Sequence, residues 1–206
     1  MNSPRPTTPQ QAWAELLAGN ERFVHGDPSH PHQDATRRRS LANTQAPFAT
    51  VFGCSDSRLA AEIIFDVGLG DMFVVRTAGH VIDESVLGSL EYGVTPLNIP
   101  LIVVLGHDSC GAVTAAADAY RTGEMPGGFI RDLVERIVPS VMSAERQGVR
   151  EINDVVAEHV RETMHRIPER STIIHRAVEE GRTAIVGVTY RLADGHGELV
   201  DVVGEL

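Results

Sequence analysis

The sequence predicts an α/β fold with a mostly parallel central sheet, an antiparallel edge strand and flanking helices. Three patterns carry that prediction. Apolar runs at residues 48–52, 72–75, 101–105 and 184–188 are strand-like in length and composition. Helical patterns separate them, and strands that alternate with helices build parallel sheets. A last alternating stretch at 198–203 follows the turn dipeptide Asp194-Gly195, so it is expected to pair antiparallel at the sheet edge.

The elements follow in order along the chain. Thr8-Pro9 reads as an N-cap followed by proline at the first helical position, and Ala12, Trp13, Leu16, Leu17, Phe23 and Val24 continue with helical spacing. Residues 26–47 read as a polar loop, too long to hang free in a compact domain and therefore expected to wrap a surface, that of this chain or of a partner subunit. Helices are expected at 60–65, 85–94, 110–120, 128–146, 152–166 and about 169–180. The length of 206 residues, 42% hydrophobic and 22% charged, suits a single domain that buries roughly 70% of its unfolded surface. Within it, residues 1–47 form an N-terminal helix and wrapping arm, and residues 48–206 an α/β core.

Composition excludes several function classes. A formal net charge of -10 disfavours nucleic acid, and Arg37-Arg38-Arg39 reads as a solvated or ion-paired face. No apolar run approaches the roughly 20 residues that span a bilayer, and no export signal is evident, so a cytoplasmic location is expected. In a reducing compartment the two cysteines are ligands or nucleophiles rather than a bridge.

Those cysteines stand at two loaded strand ends. Cys54-Ser55-Asp56-Ser57-Arg58 follows the first run, and Gly106-His107-Asp108-Ser109-Cys110-Gly111 follows the third. Ligands of open parallel sheets gather at the carboxyl ends of the strands. If the two strands are neighbours, Cys54, His107 and Cys110 converge, and two thiolates with one imidazole form a zinc set that leaves a fourth position for water or substrate. Gly53, Gly106 and Gly111 leave room for backbone close to the ion. The other histidines, at 25, 30, 32, 80, 159, 165, 175 and 196, show no ligand spacing and read as surface or loop residues.

The paired motifs CSDSR and GHDSCG, with AWAELLAGNERF, FDVGLGDMFVVRTAGH, SLEYGV and AIVGVTYRLADG around them, resemble the β-class carbonic anhydrases over most of the chain. The resemblance implies reversible hydration of carbon dioxide to bicarbonate and a proton by a zinc-bound hydroxide, with one zinc per chain on Cys54, His107 and Cys110. It implies Asp56 and Arg58 as the catalytic dyad; because Asp56 has both Arg58 and the metal within reach, it is expected to be a fourth metal ligand only in a closed state. It also places Gln45, Phe73, Ala78, Tyr92 and Gly111 around the substrate, partly from a neighbouring subunit. An N-terminal helix extending over that partner and a homodimer or homotetramer are implied as well. Some members carry an inhibitory bicarbonate pocket; Arg76 and Tyr190 match two of its positions, and Val51 stands where a tryptophan would be.

Physical chemistry supports this division of roles. Two thiolates cancel the charge of zinc, so its water is less acidic than the roughly pKa 7 water of an all-histidine site. A carboxylate held by a guanidinium is then suited to orient it. Two alternatives stay open from sequence: a hydrolase of carbonyl sulfide or carbon disulfide on the same scaffold, and a non-enzymatic zinc protein closed by Asp56.

Overall fold

The computed structural model describes residues 5–206. Five strands form one sheet in the order β2-β1-β3-β4-β5. They are β1 (Ala49–Cys54), β2 (Met72–Thr77), β3 (Leu101–His107), β4 (Ala184–Tyr190) and β5 (Gly197–Val203). The first four run parallel and β5 closes one edge antiparallel, as expected.

β1 and β3 are buried along their whole length, because helices cover both faces of the sheet. Alternate residues feed two separate cores. Leu101, Val103 and Leu105 join one with Val51, Val186 and Val188, while Ile102 and Val104 join the other with Phe52 and Ile185. The first core is completed by α1 (Pro9–Val24), α3 (Ala61–Ile64), α5 (Gly111–Thr122) and α6 (Ile130–Arg146). The second takes α4 (Glu84–Val94), α8 (Thr172–Glu179) and much of α7 (Ile152–Arg170), which reaches both.

The N-terminal segment lies against this chain's own core and surface. Thr8 caps α1 by accepting from the Gln11 amide at 3.3 Å, as its sequence predicts. Its apolar face, however, is buried on this chain's own core: Ala12, Trp13 and Leu16 are all buried there, leaving Leu17 half-exposed. Residues 26–47 likewise wrap this chain's own surface. The buried Asp66 accepts from the Ser29 amide and hydroxyl and the His30 amide, and Asp71 holds His32 and Arg37. The expected loop also contains a short helix, α2 (Ala35–Ser40), capped by Asp34.

The chain leaves β1 for β2 on one side and later enters β3 on the other. The carboxyl ends of β1 and β3 therefore flank the point where strand order reverses, where an open α/β sheet forms its crevice.

Candidate metal centre and active site

The register of β1 on β3 pairs Gly53 with Leu105, so Cys54 ends its strand beside the end of β3. His107 is the last residue of β3, and Cys110 is the N-cap of α5. The ligand atoms of Cys54, His107 and Cys110 lie within 4.8 Å of one another, all three residues buried. The cysteines are free.

The donor set fits a metal by an independent observation. His107 Nδ1 lies 2.8 Å from the Asp108 carbonyl, which only accepts, so Nδ1 carries the hydrogen and Nε2 offers its lone pair to the cluster. Nε2 is buried without a hydrogen-bond partner. Such an orphan costs about 1–3 kcal/mol, and coordination relieves it. The loop holding these ligands is itself tied down: the Asp108 amide donates to the Tyr190 carbonyl at 3.1 Å, and the Ser109 amide to Asn153 Oδ1 at 2.9 Å.

Charge is distributed unequally before a metal binds. The hydrogen bond from Cys110 lowers the Cys54 thiol against the opposing effect of burial, helped by His107 and by the Gly79 amide 3.3 Å from the sulfur. Cys110 moves up in turn, because it donates to Cys54 and is buried. Burial works against a charged His107, but the neighbouring Cys54 sulfur outweighs it and raises its pKa. A metal must therefore displace protons to bind here.

Asp56 and Arg58 stand beside the triad. Arg58 forks onto the carboxylate, Nε to Oδ1 at 2.9 Å and a terminal nitrogen to Oδ2 at 2.8 Å, and its amide also donates to Oδ1. These bonds hold the Asp56 carboxyl far below the usual carboxylate range. Asp56 Oδ2 is 3.9 Å from His107 Nε2, at the side of the cluster rather than within it.

The remaining sequence-assigned residues divide into two groups. Ala78 immediately follows β2 at the level of Cys54, and Gly111 opens α5 after Cys110. Phe73 stacks on Tyr92, ring centroids 6.1 Å apart. That pair is displaced from this chain's triad, because Phe73 pairs with Thr50, four residues before Cys54 and about 13 Å away along the strand. Gln45 is exposed and precedes β1, at the opposite end of the sheet. One chain thus brings together the triad, the dyad, Ala78 and Gly111, but not Gln45, Phe73 or Tyr92.

Two sequence readings need correction. His80 and His159 are buried, not surface residues; their ligand-free spacing hid a role in packing beneath the site. What Gly106 makes room for is α7, since a Cβ there would lie 2.5 Å from a Val160 methyl, and a Cβ on Gly111 would meet open space. Sequence reasoning also missed what Arg76 does. Its guanidinium clamps the carbonyls of Cys54 (2.9 Å) and Asp56 (2.6 Å), fixing the loop that carries ligand and dyad. Val51, which stands where a bicarbonate pocket would need tryptophan, is packed in the core.

Comparison with known proteins agrees with this geometry. A family model described as carbonic anhydrase matches residues 49–197. Carbonic anhydrase 2 of Mycobacterium tuberculosis is 56% identical over 200 residues, 97% of each chain. Among solved structures, the β-carbonic anhydrase CcaA superposes with a TM-score of 0.73 at 23% identity, covering 94% of this chain and 92% of its own. One of the tetrameric β-carbonic anhydrases of Sordaria macrospora gives 0.72 at 21%, covering 91% and 95%. Sequence identity of this extent, with a family model matching residues 49–197, places the chain in the carbonic anhydrase family, as a member of its β class and an enzyme of carbon dioxide hydration.

Proposed function

We propose that the reversible hydration of carbon dioxide to bicarbonate and a proton is carried here by one zinc ion per chain, held by Cys54, His107 and Cys110, with Asp56 and Arg58 as the catalytic dyad. The observation that carries this reading is the buried triad with its unpartnered imidazole nitrogen, flanked by a carboxylate fixed on a guanidinium. Two thiolates and one imidazole suit zinc, which when bound supplies the Lewis acidity that makes water nucleophilic near neutral pH.

The chain's own residues do the rest. Asp56 is ionised and lies beside the cluster, so it accepts a hydrogen bond from the attacking water and aims it. Arg58 keeps both carboxylate oxygens engaged, which prevents Asp56 from turning into the cluster and closing the fourth position. The exposed start of α5 at Gly111 offers a backbone amide to an anionic product.

A second copy of the chain completes the substrate side in this reading. Gln45 and the Phe73–Tyr92 stack do not reach their own triad, and β2 is an edge strand whose apolar residues stay half-exposed. A homodimer that brings them to a partner's triad would supply an apolar wall for carbon dioxide and an amide donor for bicarbonate. Pairing of dimers gives a tetramer, the state named for the Sordaria enzymes. Among the described residues no helix is long and apolar enough to cross a membrane, and two thiol ligands need reducing conditions, which supports a cytoplasmic location.

Neither alternative is favoured. The relative sharing 56% identity is named for carbonic anhydrase, not for carbonyl sulfide hydrolysis. A closed structural site would engage Asp56 in the cluster, where Arg58 holds it outside. Stopped-flow hydration assays with metal analysis test the reading. The purified chain should carry about one zinc and be active, and Cys54→Ser, His107→Ala and Cys110→Ser should each lose most of the metal. Full zinc without hydration activity would refute it.

A further inference from the structure

We propose that His159 is a positioning residue for the metal centre, acting through Gly79, whose N–H it holds against the Cys54 sulfur. This rests on the reading of Cys54, His107 and Cys110 as the metal set and extends it to a residue on α7.

Hydrogen bonds on either side of Gly79 link α6 to the ligand. His159 Nε2 lies 2.9 Å from the Gly79 carbonyl. A carbonyl only accepts, so Nε2 carries the hydrogen. Nδ1 is then the acceptor for the Ser140 hydroxyl, at 2.9 Å. Both ring nitrogens are satisfied and the tautomer is fixed from two sides. His159 is fully buried in the protein, and burial pushes its pKa down to about 4, so the neutral ring persists at physiological pH.

Gly79 is the other half of the device. It has φ 64° and ψ 23°, inside a tight turn after β2, and His80 follows with φ 41°. Two successive left-handed residues are a strained arrangement that persists only where the surroundings enforce it. Ala112 and Ile137 leave no space for a side chain on Gly79, since a Cβ would lie 2.8 Å from each. His80 places its ring 4.4 Å from that of His159, with no hydrogen bond to either of its own nitrogens. In this conformation the Gly79 N–H points at Cys54 Sγ, 3.3 Å away.

A hydrogen bond donated to a thiolate withdraws electron density from sulfur. The metal then receives less charge from Cys54 and stays more electrophilic, while the ligand stays oriented. His159 touches neither metal nor substrate; it sets the conformation from which the donor reaches the ligand.

The test uses the full chain loaded with cobalt(II), whose thiolate-to-metal charge-transfer band reports the electron density on sulfur. His159→Leu removes both hydrogen bonds and should move that band to lower energy. It should also weaken zinc binding, measured by chelator competition, about 10- to 100-fold. His159→Gln, with an amide donor and acceptor, should return both readings toward the parent. A His159→Leu protein that is folded by circular dichroism yet keeps the parent band and affinity overturns the proposal. If that variant does not fold, Ser140→Ala decides: a smaller shift in the same direction supports the proposal, and an unshifted band overturns it. Absence of any thiolate band in the parent chain would instead refute the ligand assignment itself.

Discussion

Substituting Gly79 by alanine tests whether the turn after β2 is as constrained as its geometry indicates. A left-handed conformation costs an L-residue about 1–2 kcal/mol. The new Cβ would also lie 2.8 Å from Ala112 Cβ and from Ile137 Cδ1. Ala112 begins α5 next to Gly111, and Ile137 is fully buried in α6, so neither can yield without moving a helix. Overpacking of this kind costs about 1–3 kcal/mol. Alanine recovers about 0.4–1 kcal/mol by restricting the unfolded chain. The net loss is about 1–5 kcal/mol, which for a domain of this size lowers the melting temperature by roughly 2–20 °C. Thermal unfolding of the metal-free protein measures it without interference from ligand binding. Gly88→Ala is the comparison: Gly88 lies inside α4 with nothing within 4 Å of its added Cβ, so this variant should be unchanged or more stable. Equal melting temperatures for Gly79→Ala and the parent would refute the reasoning.

Two further outcomes are expected. Arg58→Ala should keep its metal but lose roughly 10- to 1000-fold in hydration rate, and Arg58→Lys should recover only part because an ammonium cannot fork onto both carboxylate oxygens; parental rates in stopped-flow assays would remove Arg58 from the dyad. Asp66 anchors the wrapping arm, and although burial opposes its ionisation, hydrogen bonds from Arg22, Ser29 and His30 bring its pKa down to about 2. Because the folded value is depressed, its stabilisation is present above about pH 4 and fades as pH falls toward 2. Urea midpoints across that window should therefore fall more steeply for the parent than for Asp66→Asn, and identical slopes would count against it.

The sequence by itself determined the α/β class, the strands and the antiparallel edge, because strand-like apolar runs separated by helical patterns reflect constraints local in the chain. It also singled out Cys54, His107 and Cys110, since H-x-x-C spacing and a cysteine at a strand end are visible without neighbours. What joined them was tertiary: only the adjacency of β1 and β3 puts the three ligand atoms within 4.8 Å. Roles that no pattern marked are played through backbone. Arg76 binds two carbonyls, and His159 reaches Gly79 across 80 residues of sequence; a hydrogen bond to a main-chain group leaves no trace in side-chain spacing. The same limit explains the N-terminal helix. Its apolar stripe is legible in Trp13 and Leu16, but a stripe records only that something covers it, and the tertiary structure is what seats Ala12, Trp13 and Leu16 on this chain's core.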